Sequence, residues 1–494
     1  MLHCCEGRVT PRNLLSVLLR TRREDGERNA RRQDEGEHQR MTGGFRQWRH
    51  AVCLAVCLVW AATGSPAFAQ SGEWRWWDGT PIFASPAYQT RRASEDDPRR
   101  KPEPPPNDLR PNSAPLRSEA IVEALETAIQ RYQLIASRGG WPTIPGTRMI
   151  RPEDDDERLP QLRERLMITG ELSRRQKESS SFIFGSSYED IEPAIRRYQE
   201  NNGLRVTGRV DKATLQALNV PAVARLAQLR LNLQRIKDLS MQRLEDRYIL
   251  VNVPAFQLEA VDHHQVELRH RVIAGKPERQ TPTVRASIKA VNFFPYWRVP
   301  DSVASLDLVP RLIKEPDYLQ KEQIRVLTGS FNGPELDPNN IDWRQADVSK
   351  IKFRQDPGLQ NALGLVRLDM PNEHGVYMHD TPMKPLFNQR GRAFSAGCVR
   401  VQDVFQLVEW VLKYEAGWEQ LGRVREVLDA GQPLDVTLKQ PVPVYFAYIT
   451  AWAEPDGRVV FRPDIYGRDG VRDLLASHER DPSEGPPPPF TLAP

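Results

Sequence analysis

The stretch from Tyr248 to Gly275, YILVNVPAFQLEAVDHHQVELRHRVIAG, constrains the fold more than any other. Valine, isoleucine and leucine recur there with polar interruptions and turn signals, which is the pattern of a β-hairpin or meander. It follows some 120 residues whose apolar positions repeat at helical spacing. A single chain that changes period in this way has a helical front part and a β-rich rear part, an α+β protein with more than one core. The segment TPTVRASIKAVNFFPYWRVP continues in strands. From Asp301 to about Lys350 the pattern turns irregular and helix-capable, as in VPRLIKEPDYLQKEQIRVL. That reads as a helical insertion between strands, and long excursions of this kind often act as lids. His263 and His264 form an adjacent pair of potential metal ligands. Neighbours on a strand point to opposite faces, however, and no Cys, His or carboxylate spacing completes a site, so neither metal nor cofactor is expected.

The helical front part divides. Residues 119–140 form an amphipathic helix closed by glycines. From Leu159 a compact unit follows, ending in YEDIEPAIRRYQENNGLRVTGRVDKATLQALNVP. Ile191, Ala194, Ile195 and Tyr198 lie at helical spacing, Asn202-Gly203 ends that helix, and Asp211 caps a second. Ala194, Tyr198, Gln199, Gly203, Leu204, Gly208, Ala213, Thr214, Leu215 and Leu218 resemble the pattern of the peptidoglycan-binding-like domain, a small three-helix unit. These are core and turn positions, so they identify a fold better than a ligand. The helical domain is placed at 119–222. A connecting helix at 223–247 carries Leu226, Leu229, Leu233 and Ile236 on one side, with its arginines read as solvated.

Ahead of all this stands AVCLAVCLVWAA, Ala51 to Ala62, apolar and uncharged. It is shorter than the roughly 20 residues that span a bilayer. Arg46 and Arg49 precede it, and Ala67 and Ala69 follow in an A-x-A arrangement. A basic region, a short apolar core and a small-residue cleavage site make a secretory signal, here 41–69. Periplasmic export is the expectation, with no stable membrane span after cleavage. Residues 1–40 are a solvated charge run, read as an extension ahead of Met41 or as disorder. Residues 70–118 hold Trp74, Trp76 and Trp77 and a proline-rich linker, and 471–494 a proline-rich tail.

Charge excludes one class of partner. Of 69 basic and 65 acidic residues, 11 and 7 lie before Gln70, leaving 58 of each. Net neutrality gives no electrostatic drive toward nucleic acid. Cysteine usage is equally informative. Cys4, Cys5, Cys53 and Cys57 precede the cleavage point, so only Cys398 survives it. A lone cysteine in an exported chain is an intermolecular link, a buried thiol or a reactive one.

Cys398 sits in RAFSAGCVRV, between a strand and a helix with the apolar stripe Val404, Leu407, Val408, Val411 and Leu412. Small residues there let backbone approach a substrate, and the amides near Gly397 and Cys398 could form an oxyanion hole. Arg400 and the following helix would assist a thiolate. Upstream, GVYMHD alternates as a strand, so Tyr377 and His379 share a face, and His379 is the nearest candidate base. On spacing alone the pair is a modest signal.

His379, fifteen residues, then Ser395-x-Gly397-Cys398-x-Arg400 resembles the signature of the L,D-transpeptidases. YMHDTP, RVQD, FFPYWRVP and RQDPGLQNALGLVRLDMPN agree with it. Many members have histidine where Ala396 stands and asparagine where Arg400 stands, and the large exported subgroup has a small residue and arginine. The resemblance implies a mostly β catalytic domain at 248–470, with the insertion at 301–350 as a cap. It implies Cys398 as nucleophile, His379 as general base and acid, Gly397 as oxyanion backbone and Ser395 as support. Tyr377, Arg400 and Trp297 would contact substrate. The third member orienting His379 stays open. The substrate implied is the peptidoglycan tetrapeptide stem, with other cell-wall synthesis enzymes as further partners. Acceptors other than a second stem, namely water or a protein amine, stay open. So do a different thiol enzyme and a non-catalytic wall-binding protein. Acylation of Cys398 by a carbapenem would separate the last two from the first.

Overall fold

A computed structural model describes residues 109, 114–151, 155–172, 191–241, 245–420 and 422–470. The signal segment, the tryptophan-bearing segment, most of the linker and the tail lie outside them. All described residues belong to one compact unit within Thr80–Pro494. Among them, no helix is long and apolar enough to cross a membrane.

The meander read from the sequence is β1 (Arg247–Asn252), β2 (Gln257–Asp262) and β3 (Gln265–Gly275), all antiparallel. His263 and His264 are its turn, not strand residues, with φ of 48° and 62°. Two left-handed central residues are what a type I′ hairpin requires. The sheet then runs through β4 (Val284–Phe293), β8 (Val366–Asp369), β9 (Met378–His379), β10 (Ala393–Ser395), β11 (Val399–Val401) and β12 (Leu434–Ala447) in the order β10-β3-β11-β9-β8-β4-β12-β1-β2. Because β2 also pairs with β3, the sheet closes on itself. Closure removes the exposed edges that a long sheet would otherwise present.

Two cores flank this sheet, which explains why β1 is buried at five consecutive positions instead of alternating. Ile249 and Val251 face a core shared with Leu258, Ile288, Leu368 and the helix Val404–Leu412. Tyr248 and Leu250 face a second core. That second core is filled by α1 (Glu119–Ser137) through Ile121, Leu125 and Tyr132, and by α5 (Ala222–Met241) through Leu226, Leu229 and Ile236. Helix α1 thus packs on the sheet with α5 rather than inside the three-helix unit. The arginines of α5 are not all solvated. Arg225 donates to Asn202 Oδ1 at 3.1 Å, and Arg235 pairs with Asp469 at 2.7 Å.

The three-helix unit has its own core and comprises α2 (Leu159–Thr169), α3 (Glu192–Asn201) and α4 (Lys212–Leu218). Gln199, fully buried, accepts from the amides of Thr207 and Gly208 at 2.9 and 3.0 Å and donates to Arg209 O at 2.8 Å. Asp211 caps α4 through Thr214 N at 2.8 Å. Those resemblance-bearing positions therefore build the loop and core.

The insertion is more ordered and larger than its sequence pattern implies. A three-stranded sheet, β5 (Trp297–Arg298), β7 (Ile351–Gln355) and β6 (Ile324–Thr328), backs helical turns at Asp301–Val303, Val309–Leu312 and Tyr318–Lys321. Trp297, Leu308, Leu312, Tyr318 and Phe353 fill a separate small core. The strand content was hidden because β6 and β7 are short and broken from each other by turn-rich sequence.

Candidate active site

Strands β9 and β11 run parallel, with Met378 opposite Val399 and His379 opposite Arg400. Side chains alternate along strands. Tyr377 and His379 thus share a face with Cys398 and Arg400, and the register sets these four residues side by side. The rings of Tyr377 and His379 are 5.6 Å apart, edge to face. The alternation read in GVYMHD holds, although the paired strand is only two residues long.

The Ser-x-Gly-Cys spacing is a self-closed turn. Ser395 Oγ donates to Cys398 O at 2.5 Å and accepts from Gly397 N at 3.1 Å. Gly397 has φ of 123°, a conformation that favours glycine. Thr281 Oγ1 donates to Gly397 O at 2.8 Å and itself accepts from Gly275 N at 2.8 Å. Ser395 therefore closes the turn that carries Gly397 and Cys398. The expectation for Gly397 needs correction: its N–H is committed to Ser395 and is not presented as an oxyanion donor. Among the described residues, no backbone hydrogen bond uses the Cys398 N–H. Gly275 is tightly required: a Cβ there would lie 2.2 Å from Arg279 O.

The third group behind the imidazole is a backbone carbonyl. His379 Nδ1 lies 2.5 Å from Asp380 O, which assigns the proton to Nδ1 and the lone pair to Nε2. The Leu363 backbone also acts on the ring. The Asp380 carboxylate turns away, as strand alternation demands. It accepts from Leu365 N at 3.0 Å and pairs with Lys384. Gly364 packs against it so closely that a Cβ would meet Asp380 Oδ2 at 2.3 Å. Asp380 is thus anchored by its side chain while its carbonyl orients His379.

Burial governs every ionisation here. It pushes the Cys398 thiol up; hydrogen bonds from the Tyr377 backbone and side chain, then Arg400 and Arg367, pull it down less strongly. Burial lowers His379 to about 3, with Arg400 adding to the effect. Burial also lowers Arg400 to about 10 and raises the Tyr377 phenol. At neutral pH the site holds a thiol, a neutral imidazole, a phenol and a guanidinium. The thiolate assistance expected from Arg400 and the following helix is outweighed by desolvation. That helix begins only at Val404, and Asp403 before it gives no side-chain cap.

Tyr377 is the thiol's hydrogen-bond partner, and Trp297 in turn bonds the Tyr377 side chain. Trp297 thereby links the insertion to the nucleophile. Sequence reasoning missed Thr281, Tyr466 and Arg367. Tyr466 Oη donates to Gly275 O at 2.6 Å, and the Arg367 guanidinium lies 5.3 Å from the Tyr377 ring centre. Only Arg367 left a signal: it lies in the quoted stretch GLVRLDMPN, and its strand pairs it with His379. Among the described residues no group of three or more His, Cys, Asp or Glu could hold a metal ion.

Tyr377→Phe is expected to leave the fold unchanged and to slow alkylation of Cys398 by iodoacetamide at pH 7. Its phenol lowers the thiol, so the variant's alkylation profile should move to higher pH. A flat alkylation rate from pH 4 to 8 in the parent protein would instead indicate a thiolate–imidazolium pair.

The site sets a thiol, an imidazole, a phenol and a guanidinium on one face of a closed β-sheet. Residues 246–444 match the family described as L,D-transpeptidase catalytic domain, and residues 158–218 match "Putative peptidoglycan binding domain". A curated relative from Haemophilus influenzae, named "Putative L,D-transpeptidase", is 36% identical over 222 residues, 45% of this chain and 44% of that protein. The chain thus spans less than half that relative's length. An L,D-transpeptidase from Mycobacterium smegmatis is 13% identical, covering 41% of this chain and 58% of the other, at a TM-score of 0.20. One from Stackebrandtia nassauensis is 11% identical, covering 69% and 96%, at 0.21. Overlaps that low carry no weight. The family matches do: the chain carries an L,D-transpeptidase catalytic domain preceded by a helical domain of the peptidoglycan-binding family.

Proposed function

We propose that this chain is an exported L,D-transpeptidase that cross-links peptidoglycan stems between diaminopimelate residues through a thioester on Cys398. The observation that carries this reading is the parallel register that sets Tyr377, His379, Cys398 and Arg400 on one face of β9 and β11.

Cys398 Sγ attacks the diaminopimelate carbonyl of a tetrapeptide stem while His379 Nε2 takes the thiol proton. With the thiol raised and the imidazole neutral, proton transfer accompanies attack rather than preceding it. The Cys398 N–H, which no backbone hydrogen bond uses among the described residues, serves as a donor to the developing oxyanion. Collapse breaks the C–N bond, and the imidazolium returns its proton to the departing D-alanine amine. The side-chain amine of a second stem then attacks the thioester, the C–S bond breaks, and the proton passes back through His379 to sulfur. Water in place of the amine gives a carboxypeptidase, and a protein amine gives attachment to the wall.

Incubating the protein with a tetrapeptide muropeptide should yield cross-linked dimer and free D-alanine by mass analysis. Tripeptide alone would assign hydrolysis, and unchanged substrate would refute the reading. The signal-like segment supports export. Protein recovered from the envelope should begin at or near Gln70, and recovery only from cytoplasm with Met1 intact would refute export.

A further inference from the structure

The Cys398 N–H belongs to the peptide group that joins Gly397 to Cys398. In a trans peptide the carbonyl and the N–H point in opposite directions, so whatever holds Gly397 O also aims the Cys398 N–H. The peptide groups on either side are held within the turn by Ser395, through Gly397 N and Cys398 O. The middle group is held from outside the turn, by Thr281 Oγ1 donating to Gly397 O at 2.8 Å. Sterics do little to fix it. Gly397 has no side chain, and a Cβ built there would meet nothing nearer than Gln280 O at 3.7 Å. The direction of this peptide therefore depends on one hydroxyl.

That hydroxyl is itself tightly placed. Thr281 is fully buried, and its Oγ1 accepts from Gly275 N at 2.8 Å, which directs the hydroxyl proton to Gly397 O. The Thr281 N–H donates to Tyr466 Oη at 3.2 Å, and the same Tyr466 hydroxyl donates to Gly275 O at 2.6 Å. Tyr466 thus ties the loop 275–281 at both ends. Its own ring stacks on Tyr448 with centres 5.5 Å apart, and its N–H donates to Tyr448 Oη at 2.8 Å. Asp469 anchors this C-terminal segment to α5: its buried carboxylate pairs with Arg235 at 2.7 Å and accepts from Thr450 Oγ1 at 2.5 Å.

We propose that Thr281 is a positioning residue that aims the Cys398 N–H at the developing oxyanion, and that Tyr466 braces it in that orientation. Donation to Gly397 O also polarises the peptide and strengthens its N–H as a donor. Both side chains act through the Gly397–Cys398 peptide and not on the reacting atoms. The inference rests on the proposed attack of Cys398 on a carbonyl, and not on which peptide supplies that carbonyl.

Two reactions of Cys398 separate the aim of the N–H from the placement of the thiol. Acylation by p-nitrophenyl acetate forms the C–S bond through a tetrahedral oxyanion, expels p-nitrophenolate and passes the thiol proton to His379. Alkylation by iodoacetamide forms a C–S bond by direct displacement of iodide and develops no oxyanion. Both are followed at Cys398 by peptide mass analysis in the parent, Thr281→Val, Thr281→Ser and Tyr466→Phe proteins, with Cys398→Ala as the blank. Thr281→Val keeps the shape and removes the hydroxyl, so acylation should fall at least about tenfold, toward the roughly 10²–10³-fold cost of losing one oxyanion donor. Its alkylation rate and alkylation pH profile should match the parent. Thr281→Ser should restore acylation. Tyr466 is half-buried, and phenylalanine keeps its stack on Tyr448. Tyr466→Phe should therefore fold and show the same split to a smaller degree, even where Thr281→Val does not fold. Acylation and alkylation falling together would mean that the thiol is displaced, which overturns the inference. So would unchanged acylation in Tyr466→Phe and Thr281→Val, a serine variant no better than the valine one, or a parent protein that forms no acyl adduct. A parent protein that shows the split but leaves the tetrapeptide muropeptide unchanged would refute the proposed activity and leave the positioning role standing.

Discussion

Cys398→Ala is expected to abolish D-alanine release, cross-linking and the carbapenem adduct together. No other cysteine lies among the described residues, and no second nucleophile stands on the face shared by Tyr377 and His379. The fold should survive. Cys398 is partly buried against the main core, and deleting one sulfur there costs at most about 1–2 kcal/mol. The loop is held by Ser395 and Thr281 through backbone atoms of Gly397 and Cys398, which alanine keeps. Circular dichroism and melting should therefore match the parent while mass spectrometry finds no acyl adduct. Release of D-alanine by the variant would mean that another residue attacks.

His379→Gln should lower the acylation rate by roughly 10²–10⁴-fold, the usual contribution of a positioned general base. It carries a second signature in stability. His379 titrates near 3 in the folded chain against an ordinary value of 6.5. Between those values the unfolded chain binds a proton that the folded chain refuses. Stability associated with this residue is thus present above pH 6.5 and is lost as pH falls toward 3. Glutamine cannot titrate, so the variant should lose less melting temperature than the parent between pH 7 and pH 4.5. Equal losses would mean that His379 is not buried and neutral. Unaltered acylation by the variant would remove it from the proton path.

Local pattern was enough for several elements. The alternation in VELRHRVIAG and GVYMHD depends only on which faces are wet, so β3 and the face shared by Tyr377 and His379 were readable. The stripe of Val404, Leu407, Val408, Val411 and Leu412 follows from helical geometry alone. Cys398 stood out because the other four cysteines all lie at or before position 57, and His379 and Ser395 followed from their spacing to it. Tertiary structure decided the rest, because each remaining feature joins residues far apart in the chain. The Thr281–Gly397 bond spans 116 positions and the Tyr466–Gly275 bond 191. Whether Gly397 keeps its amide free depends on where Ser395 Oγ points, which composition does not encode. Asp380 serves through its carbonyl, a group every residue has, so no side-chain pattern could mark it. The placement of α1 against the sheet required knowing that β1 is covered on both faces. The balance of burial over charge at the thiol arose only once the insertion and sheet had closed around it. Residue identity along the chain thus determined which groups could react, while register and desolvation decided in what protonation state and with which neighbours they meet.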